Sequence, residues 1–534
     1  MSPVINIVLL SFVVLLALSA LLIEYKRDLM MLQQNSYRIN RYMRWLRISA
    51  DTTSTPRIIA MLVALLALAQ FAPRVWAAVI IGVFSAGSAL VLFKAKYKKP
   101  LAWTRRARRI YAVQIVVSII IMGVALLLMQ DFSSDFILYA VGVMLLMLYC
   151  GSHIVTVIAV WILTPVERMI NRRYYREAEA ILRSMPTLKV IGVTGSYGKT
   201  STKHYLHRIL SEKYDVLMTP GSFNTTLGVI RTVREYMKPY TEVFICEMGA
   251  KQPGDIKEIC DLVHPSIGIV TAVGPQHLES FKTIENVQRT KFELIDSLPA
   301  DGLAVVNNDF PFVASREVSN VQCHRYAVSA TDDASFTATD ITYTPTGTKF
   351  TILGAGEPLT LHTRLVGECN VSNLIAAVIV ALYLDVPREK ISYAVAKIEQ
   401  VEHRLNMKRT AAGVTIIDDA FNSNPTGSAM ALDVLASMTS GKRIVVTPGM
   451  IELGDQQYRL NADFGRKIAS TADVAIVVGG YNRDAIVEGI ESAEDSSVAV
   501  HTVASFAEAQ RLLSSILSSG DTVLYENDLP DTFK

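Results

Sequence analysis

The stretch KVIGVTGSYGKTSTKHYLHRIL, Lys189 to Leu210, decides how the rest of the chain is read. Val190, Ile191 and Val193 make a β-run that ends in glycine, and Tyr205, Leu206, Ile209 and Leu210 recur at helical spacing. Strand, glycine turn and helix in that order are the context of a phosphate loop. Backbone N–H groups of the turn and of the helix N-terminus face the anion, and a lysine adds a point charge. Gly195, Ser196, Gly198 and Ser201 then belong to the nucleotide cradle, Lys199 takes the β- and γ-phosphates, and the Thr200 hydroxyl touches Mg²⁺. The common pattern G-x-x-x-x-G-K-[ST] is not matched, because its first glycine would fall on Val193. The pattern here is G-x-x-G-K-T-S-T, from Gly195 to Thr202. A merely structural glycine turn is the weaker reading of Gly, Gly, Lys and Thr in this order.

Directly before this loop the chain is apolar. Of 534 residues 51% are hydrophobic and 19% charged, but the averages hide a split: residues 1–165 are dominated by apolar runs and the rest reads as a soluble protein. Five runs are candidates to cross a membrane: Val4–Ile23, Ile58–Phe71, Val75–Phe93, Ile110–Gln130 and Phe136–Leu163. The second is short and forms a hairpin with the third around residues 72–74. The fifth is long enough to tilt, or to break near Gly151-Ser152. None of the five contains Asp, Glu, Lys or Arg, so no buried charge relay is expected, and His153 reads as a packed interhelical residue. Basic residues crowd residues 24–57, 94–109 and 168–176, while the loops at 72–74 and 131–135 are nearly free of them. Positive loops stay inside, which puts the N-terminus outside and everything after residue 165 in the cytoplasm of a multi-pass protein of the cell membrane. The basic segments serve as topology signals, or more sharply as sites for anionic lipid headgroups. A net charge of +3 calls for no nucleic-acid partner, and Cys150, Cys246, Cys260, Cys323 and Cys369 form no CxxC pair, as suits a reducing compartment.

The loop GVTGSYGKTSTK resembles the ATP loop of the Mur ligases, the ATP-dependent amide-forming enzymes of peptidoglycan synthesis. Further stretches fit in order. YTEVFICEMGAKQPGDI (240–256) is a buried strand delivering Glu247 at its end, where a carboxylate beside a phosphate loop holds Mg²⁺. HPSIGIVTAVGPQHLESFKTIENVQRTKFELID (264–296) is similar to the family block in which His277 would bind a second Mg²⁺ and Lys291 would carry a carbamate, an anion able to hold a cation. AVVNND (304–309) matches a strand-end turn. In GECNVSNLIAAVIVALYLDVP (367–387) the resemblance implies an adenine contact from Asn373, or secondly Asn370, and in VEHRLNM (401–407) an ATP-phosphate contact from Arg404. VTIIDDAFNSNPTGSAMALDVL (414–435) resembles the D-alanyl-D-alanine-adding branch, with Asp419 on the ribose and Asn422, Asn424 and Pro425 shaping a turn. PGSFNTTLGV (220–229) is similar to the substrate loop, so Asn224, Thr225 and Thr226 are donor-contact candidates.

The expected organisation is an α-helical transmembrane bundle at 1–165, a basic linker at 166–186, a P-loop-type α/β ATPase domain at 187–408 and a Rossmann-like α/β domain at 409–534. The resemblance implies a ligase that makes an acyl phosphate from ATP and a carboxylate donor of the cell-wall-precursor type, then an amide with an amine acceptor. Lys199, Glu247, His277 and Lys291 would be catalytic. Thr200, Glu247, His277 and carbamylated Lys291 would hold Mg²⁺. The helices suggest a lipid-linked substrate and lipid partners. The rival reading is a membrane scaffold that binds ATP without turnover; a glutamine-dependent amidating relative ranks lower, since its cysteine cluster is absent. The chain departs from the family at Ala272 (commonly Asn), Cys369 (His or Tyr), His403 (Gly) and Glu526-Asn527-Asp528 (Lys-Gly-Ser). Membrane runs also stand where a soluble member grips the nucleotide-sugar end of its donor.

Overall fold

A computed structural model describes residues 3–49, 51, 54–68, 74–95, 97, 99–328, 333–344, 347–354, 356–421, 423–494 and 497–529. The contacts divide the chain into a first unit, running to Asn171, and a second, Arg172–Asp528.

The first unit is helical: α1 (Pro3–Gln34), α2 (Ile39–Ile48), α3 (Thr55–Leu68), α4 (Arg74–Lys94), α5 (Arg105–Leu128), α6 (Ser134–Cys150) and, up to Asn171, α7 (Ser152–Arg183). Four of these, α1, α4, α5 and α7, are long and apolar enough to cross a membrane. The second expected run is a helix of only 14 residues, and the residues 72–73 of its expected hairpin turn lie outside those described. The fifth expected run is two helices, α6 and α7, broken at Gly151 as its glycine-serine pair suggested.

Two features add to the expected organisation. First, the basic linker expected at 166–186 is helical to Arg183. The segment VERMINRRYYREAEAILR is built of helix formers, with i,i+4 ion pairs Arg173–Glu177 and Arg183–Glu179 at 2.8 Å each. Second, the unit contains buried charge. No Gly or Pro interrupts Val4 to Gln34, so α1 continues past its apolar run and takes Glu24, Arg27 and Asp28 into the bundle. Arg57 on α3 meets Glu24 at 2.6 Å, Asp51 at 3.4 Å and Asp28 at 3.6 Å. Its Nη1 donates to the carbonyl oxygens of Tyr149 and Cys150 at 3.1 and 2.9 Å, so the guanidinium satisfies carbonyls that the end of α6 leaves without helical partners. Charges that look like loop residues in the sequence therefore tie α1, α3 and α6 together.

The second unit holds two sheets. The first runs β2-β3-β1-β4-β5-β6-β7-β8-β9, with β1 Lys189–Thr194, β2 Val216–Met218, β3 Val243–Glu247, β4 Ile267–Val270, β5 Leu303–Asn307, β6 Gln322–Ala327, β7 Phe336–Thr344, β8 Gly347–Leu353 and β9 Leu359–Thr363. Pairing is parallel from β2 to β7 and antiparallel across β7, β8 and β9. β1 is buried on both faces, Ile191 and Val193 in one core and Val190 in the other, which is why it reads as a continuous apolar run. It lies between β3 and β4, where the strand order reverses, and the crevice beyond such a strand end is where doubly wound sheets bind ligands.

The second sheet runs β10-β11-β15-β12-β13-β14: β10 Asn406–Arg409, β11 Thr415–Asp419, β12 Arg443–Thr447, β13 Val474–Val478, β14 Ala499–Val503 and β15 Thr522–Glu526. Only β10 is antiparallel to its neighbour. The expected pair of α/β folds is thus present.

Candidate functional site

The loop after β1 is shaped by two glycines with no room for a side chain. Gly195 has φ +148°, and a Cβ there would stand 2.1 Å from Thr271 Oγ1. Gly198 has φ +81°, and a Cβ there would stand 2.5 Å from Asn373 Oδ1. The helix α8 (Lys199–Leu210) begins at the next residue, so its free N–H groups open onto the loop. Val193, where the common pattern has its first glycine, is a fully buried strand residue. The backbone cradle fits a phosphate chain, and the residues around it fit a divalent cation.

Lys199 Nζ donates to the Gly195 carbonyl at 2.7 Å. Burial lowers its pKa to about 8, Glu247 working against the shift and Arg404 with it. Thr200 Oγ1 donates to Glu247 Oε1 at 3.2 Å, and Asn224 Nδ2 donates to the same oxygen at 3.0 Å. Glu247 is buried, which favours its protonated form, but Lys203 and then Lys199 more than offset this and hold the carboxyl below its ordinary value. The expected phosphate lysine, metal hydroxyl, metal carboxylate and donor-loop asparagine therefore converge.

His277 sits elsewhere in hydrogen-bond terms. Its Nδ1 contacts the Glu452 carboxylate, and burial lowers its pKa against the pull of that carboxylate. Lys291, on the helix Ile284–Asp296, is buried. Burial, and then the charge of Lys199, push its amine well below the ordinary lysine value, with Asp255 and Glu293 opposing.

A cavity of about 250 Å³ adjoins the loop, lined among others by Gly198, Asn373, Arg404, Asp419, Phe421 and Glu526. Ser201 and Asn370 also line it, whereas the buried Ser196 hydroxyl turns away to the Gly274 carbonyl at 3.1 Å. Asn373 Oδ1 accepts from Thr202 Oγ1 at 3.1 Å and Asn370 Oδ1 from Tyr205 OH at 2.7 Å, so both candidate base-contact residues also brace α8. Arg404 stacks over the Phe421 ring, 4.5 Å from its centre, and donates to the Phe421 carbonyl at 2.7 Å. Asp419 is pushed up to about 6 by burial, with Arg404 opposing. It pairs in register with Glu526, whose Oε1 accepts from Ser423 at 2.5 Å and Ser428 at 2.8 Å.

Two candidates have local work in the fold. Thr225 Oγ1 accepts from Gly228 N at 3.3 Å, capping the helix Thr226–Tyr236, whose first residue is the candidate Thr226. Asn424 Oδ1 accepts from Gly427 N at 3.0 Å, capping the helix Pro425–Ala436. Asn422 lies outside the described residues. Sequence reasoning missed Lys203 and Glu452. Lys203 had a signal: it is four residues after Lys199 on one helix, hence on the same face. Glu452 also had one: it is the acid of PGMIELG (448–454), within the stretch RIVVTPGMIELGDQQY (443–458) that resembles the family segment G-x-M-x-E-L-G, although nothing in the sequence pairs it with the distant His277.

Two family models match this architecture: the Mur ligase middle domain over residues 193–381 and the Mur ligase, glutamate ligase domain over residues 403–525. The UDP-N-acetylmuramoyl-tripeptide–D-alanyl-D-alanine ligase of Bacillus subtilis is 30% identical over 65% of this chain and 75% of its own. The corresponding ligase of Mycobacterium tuberculosis is 32% identical over 63% and 70%. Among solved structures, MurF from Acinetobacter baumannii aligns with a TM-score of 0.61 at 27% identity, covering 67% of this chain and 77% of its own. The MurF ligase of Thermotoga maritima in complex with ADP shares the fold, with a TM-score of 0.61 at 24% identity over 67% and 80%. From its phosphate loop to its last strand, this chain belongs to the Mur ligase family of ATP-dependent, ADP-forming ligases.

Proposed function

We propose that this chain is a membrane-anchored amide-bond ligase that extends a muramyl-peptide-like cell-wall precursor through an acyl phosphate. The observation that carries the reading is the convergence of Thr200 and Asn224 on one oxygen of the buried carboxylate Glu247, beside the glycine cradle and Lys199. Thr200 and Glu247 would hold Mg²⁺, which would supply positive charge against the phosphoryl group in transfer. The chain's own residues do the rest. The N-terminus of α8 and Lys199 bind the phosphates, Arg404 and Asp419 face the cavity where the nucleoside fits, and the loop ending at Asn224 presents the donor carboxylate. Burial pushes the Lys291 amine well below the ordinary lysine value, towards the uncharged form that takes up CO₂; a carbamate there would be a second anion for a cation. His277, paired with Glu452, orders the turn that leads to that helix.

The four long apolar helices and the basic loops between them support a multi-pass anchor in the inner membrane, catalytic domains on the cytoplasmic side, in contact with anionic lipids. The donor is then a precursor at the membrane surface, lipid-linked in the sharpest form of the reading. D-alanyl-D-alanine, the acceptor in the relatives' names, is the first amine to test. Purified full-length protein is expected to release phosphate only when ATP, donor and amine are all present, and faster with a lipid-linked donor than with its soluble counterpart. Phosphate release that ignores the amine would sink the ligase reading, and equal rates on the two donors would remove the lipid refinement.

A further inference from the structure

Lys203 lies one turn beyond Lys199 on α8 and is wholly buried. An ammonium has three donors. Two go to the carbonyl oxygens of Thr219 at 2.9 Å and Gly221 at 2.7 Å. Its third contact is an ion pair, with Glu247 Oε2 at 2.9 Å, an oxygen that no hydrogen bond satisfies. The two carbonyls belong to the segment that leads to Asn224, the residue that donates to the other oxygen of Glu247. The same segment returns to the strand, because Glu247 N donates to Thr219 Oγ1 at 3.1 Å. Close packing leaves this segment no slack: a Cβ on Gly249 would stand 2.8 Å from the Asn224 side chain.

The arrangement has an electrostatic consequence. A buried carboxylate without a counter-charge attracts a divalent cation by itself. Glu247 already has Lys203 against one oxygen, and Lys199 acts on it as well. The formal sum of these three groups is positive, so by themselves they offer a divalent cation no net attraction. The phosphates of a nucleotide supply the missing negative charge.

We propose that Lys203 is a positioning residue that balances Glu247 and fixes the Thr219–Asn224 segment, so that the divalent cation enters with the nucleotide rather than ahead of it. This rests on Glu247 being the metal carboxylate, as in the proposed function. The segment and the metal site then form one unit, and a cation cannot occupy the carboxylate while the phosphate cradle is empty.

Mn²⁺ tests this, read by loss of the free-ion signal in electron paramagnetic resonance with full-length protein in detergent. The wild type is expected to retain Mn²⁺ only when ADP is present. Lys203→Met removes the counter-charge and is expected to raise nucleotide-free Mn²⁺ affinity by about 10- to 100-fold, the scale of one unit charge beside a ligand in a partly screened site. Lys203→Arg keeps the charge but not the shape, so it is expected to keep the need for ADP and, by disturbing the Thr219–Asn224 segment, to raise the KM for donor. Wild-type protein that binds Mn²⁺ equally well without ADP overturns the proposal, as does a folded Lys203→Met with no gain. Should Lys203→Met not fold, Lys203→Gln, which keeps donors for the two carbonyls without the charge, carries the same comparison. If Glu247→Ala leaves Mn²⁺ binding with ADP unchanged, the metal assignment fails instead, and the two failures are told apart.

Discussion

In the first unit Arg57 lies within 3.6 Å of three carboxylates, and its guanidinium also reaches the end of α6. In the second, one ammonium, Lys203, holds one carboxylate, Glu247, and the hydroxyl and amide beside it leave that carboxylate facing a glycine cradle. Both clusters are buried, yet they do different things. The first uses charge to join helices: breaking it leaves carboxylates without a partner in a dry interior. The second also holds charge that the ligand-free fold does not need. Lys199 shows it, since burial alone disfavours its charged form. Charge that stabilises the fold and charge kept for a ligand should therefore separate on mutation.

The largest effect is expected at Lys199. Lys199→Ala should lower kcat by about 10³-fold, the scale of a lost cation at a transferring phosphoryl group. The melting temperature of ligand-free protein should hold or rise, because a poorly solvated charge has gone. A parallel fall in stability would erase the contrast. Arg57→Met should do the reverse. Removing one partner of a buried ion pair costs about 3–5 kcal/mol, read as a drop in melting temperature of the detergent-solubilised protein. ADP affinity should be unaffected, because every residue proposed to bind it lies in Arg172–Asp528. Loss of ADP binding in a folded Arg57→Met protein would show that the first cluster is not merely structural.

These two clusters differ as much in what the sequence discloses. The phosphate loop is readable because glycine marks backbone geometry, and Gly195 and Gly198 occupy positions where no other residue fits. Glu247 is readable because an apolar strand ends on it. The Arg57 cluster is not: Glu24, Arg27, Asp28, Asp51 and Arg57 look like loop charges, and it takes the unbroken helix α1 to carry the first three into the bundle, where Arg57 on α3 meets Glu24 and Asp28. Lys203 falls between, since its face of α8 could be computed but its partner could not. The basic linker at 166–186 is legible in its charge but not in its helicity, which rests on i,i+4 pairs of Arg and Glu along an exposed helix. His277 was placed by resemblance with a cation, and the fold gives it Glu452.

A third contrast is within the second unit. Where the family pattern has a lysine, Glu526 stands in register with Asp419. Burial, with Asp419 adding, pushes Glu526 up to about 8 from 4.5, against the hydroxyls of Ser423 and Ser428. Asp419 is up to about 6 from 3.8. Both folded values lie above the unfolded ones, so the fold binds more protons than the unfolded chain across this window. The contribution is complete below the unfolded values and is lost as pH rises through about 6 and then about 8. The second unit should thus melt lower at about pH 8 than at about pH 5. Glu526→Gln, which still accepts from both serines, should flatten the upper part of that slope. An unchanged profile in the variant would mean that Glu526 is ionised in the fold.

The smallest effect concerns a residue with two readings. Thr225 belongs to the loop that resembles a donor site, and it also caps the helix Thr226–Tyr236 through Gly228 N. A cap replaced by alanine costs about 1 kcal/mol, and serine retains most of it. If Thr225 acts only as a cap, Thr225→Ala lowers melting by that small amount, Thr225→Ser restores it, and KM for donor stays within about twofold of wild type, a change worth under about 0.5 kcal/mol. If its hydroxyl also meets the donor, KM rises in Thr225→Ala beyond what the stability change accounts for. The comparison with Asn224 decides how much of the loop is structural. Asn224 is committed to Glu247 at 3.0 Å, so Asn224→Ala should weaken Mn²⁺ binding in the presence of ADP, and Thr225→Ala should leave it alone. A loop in which neighbouring residues split in this way has one side chain turned to the metal carboxylate and the next turned back to its own helix.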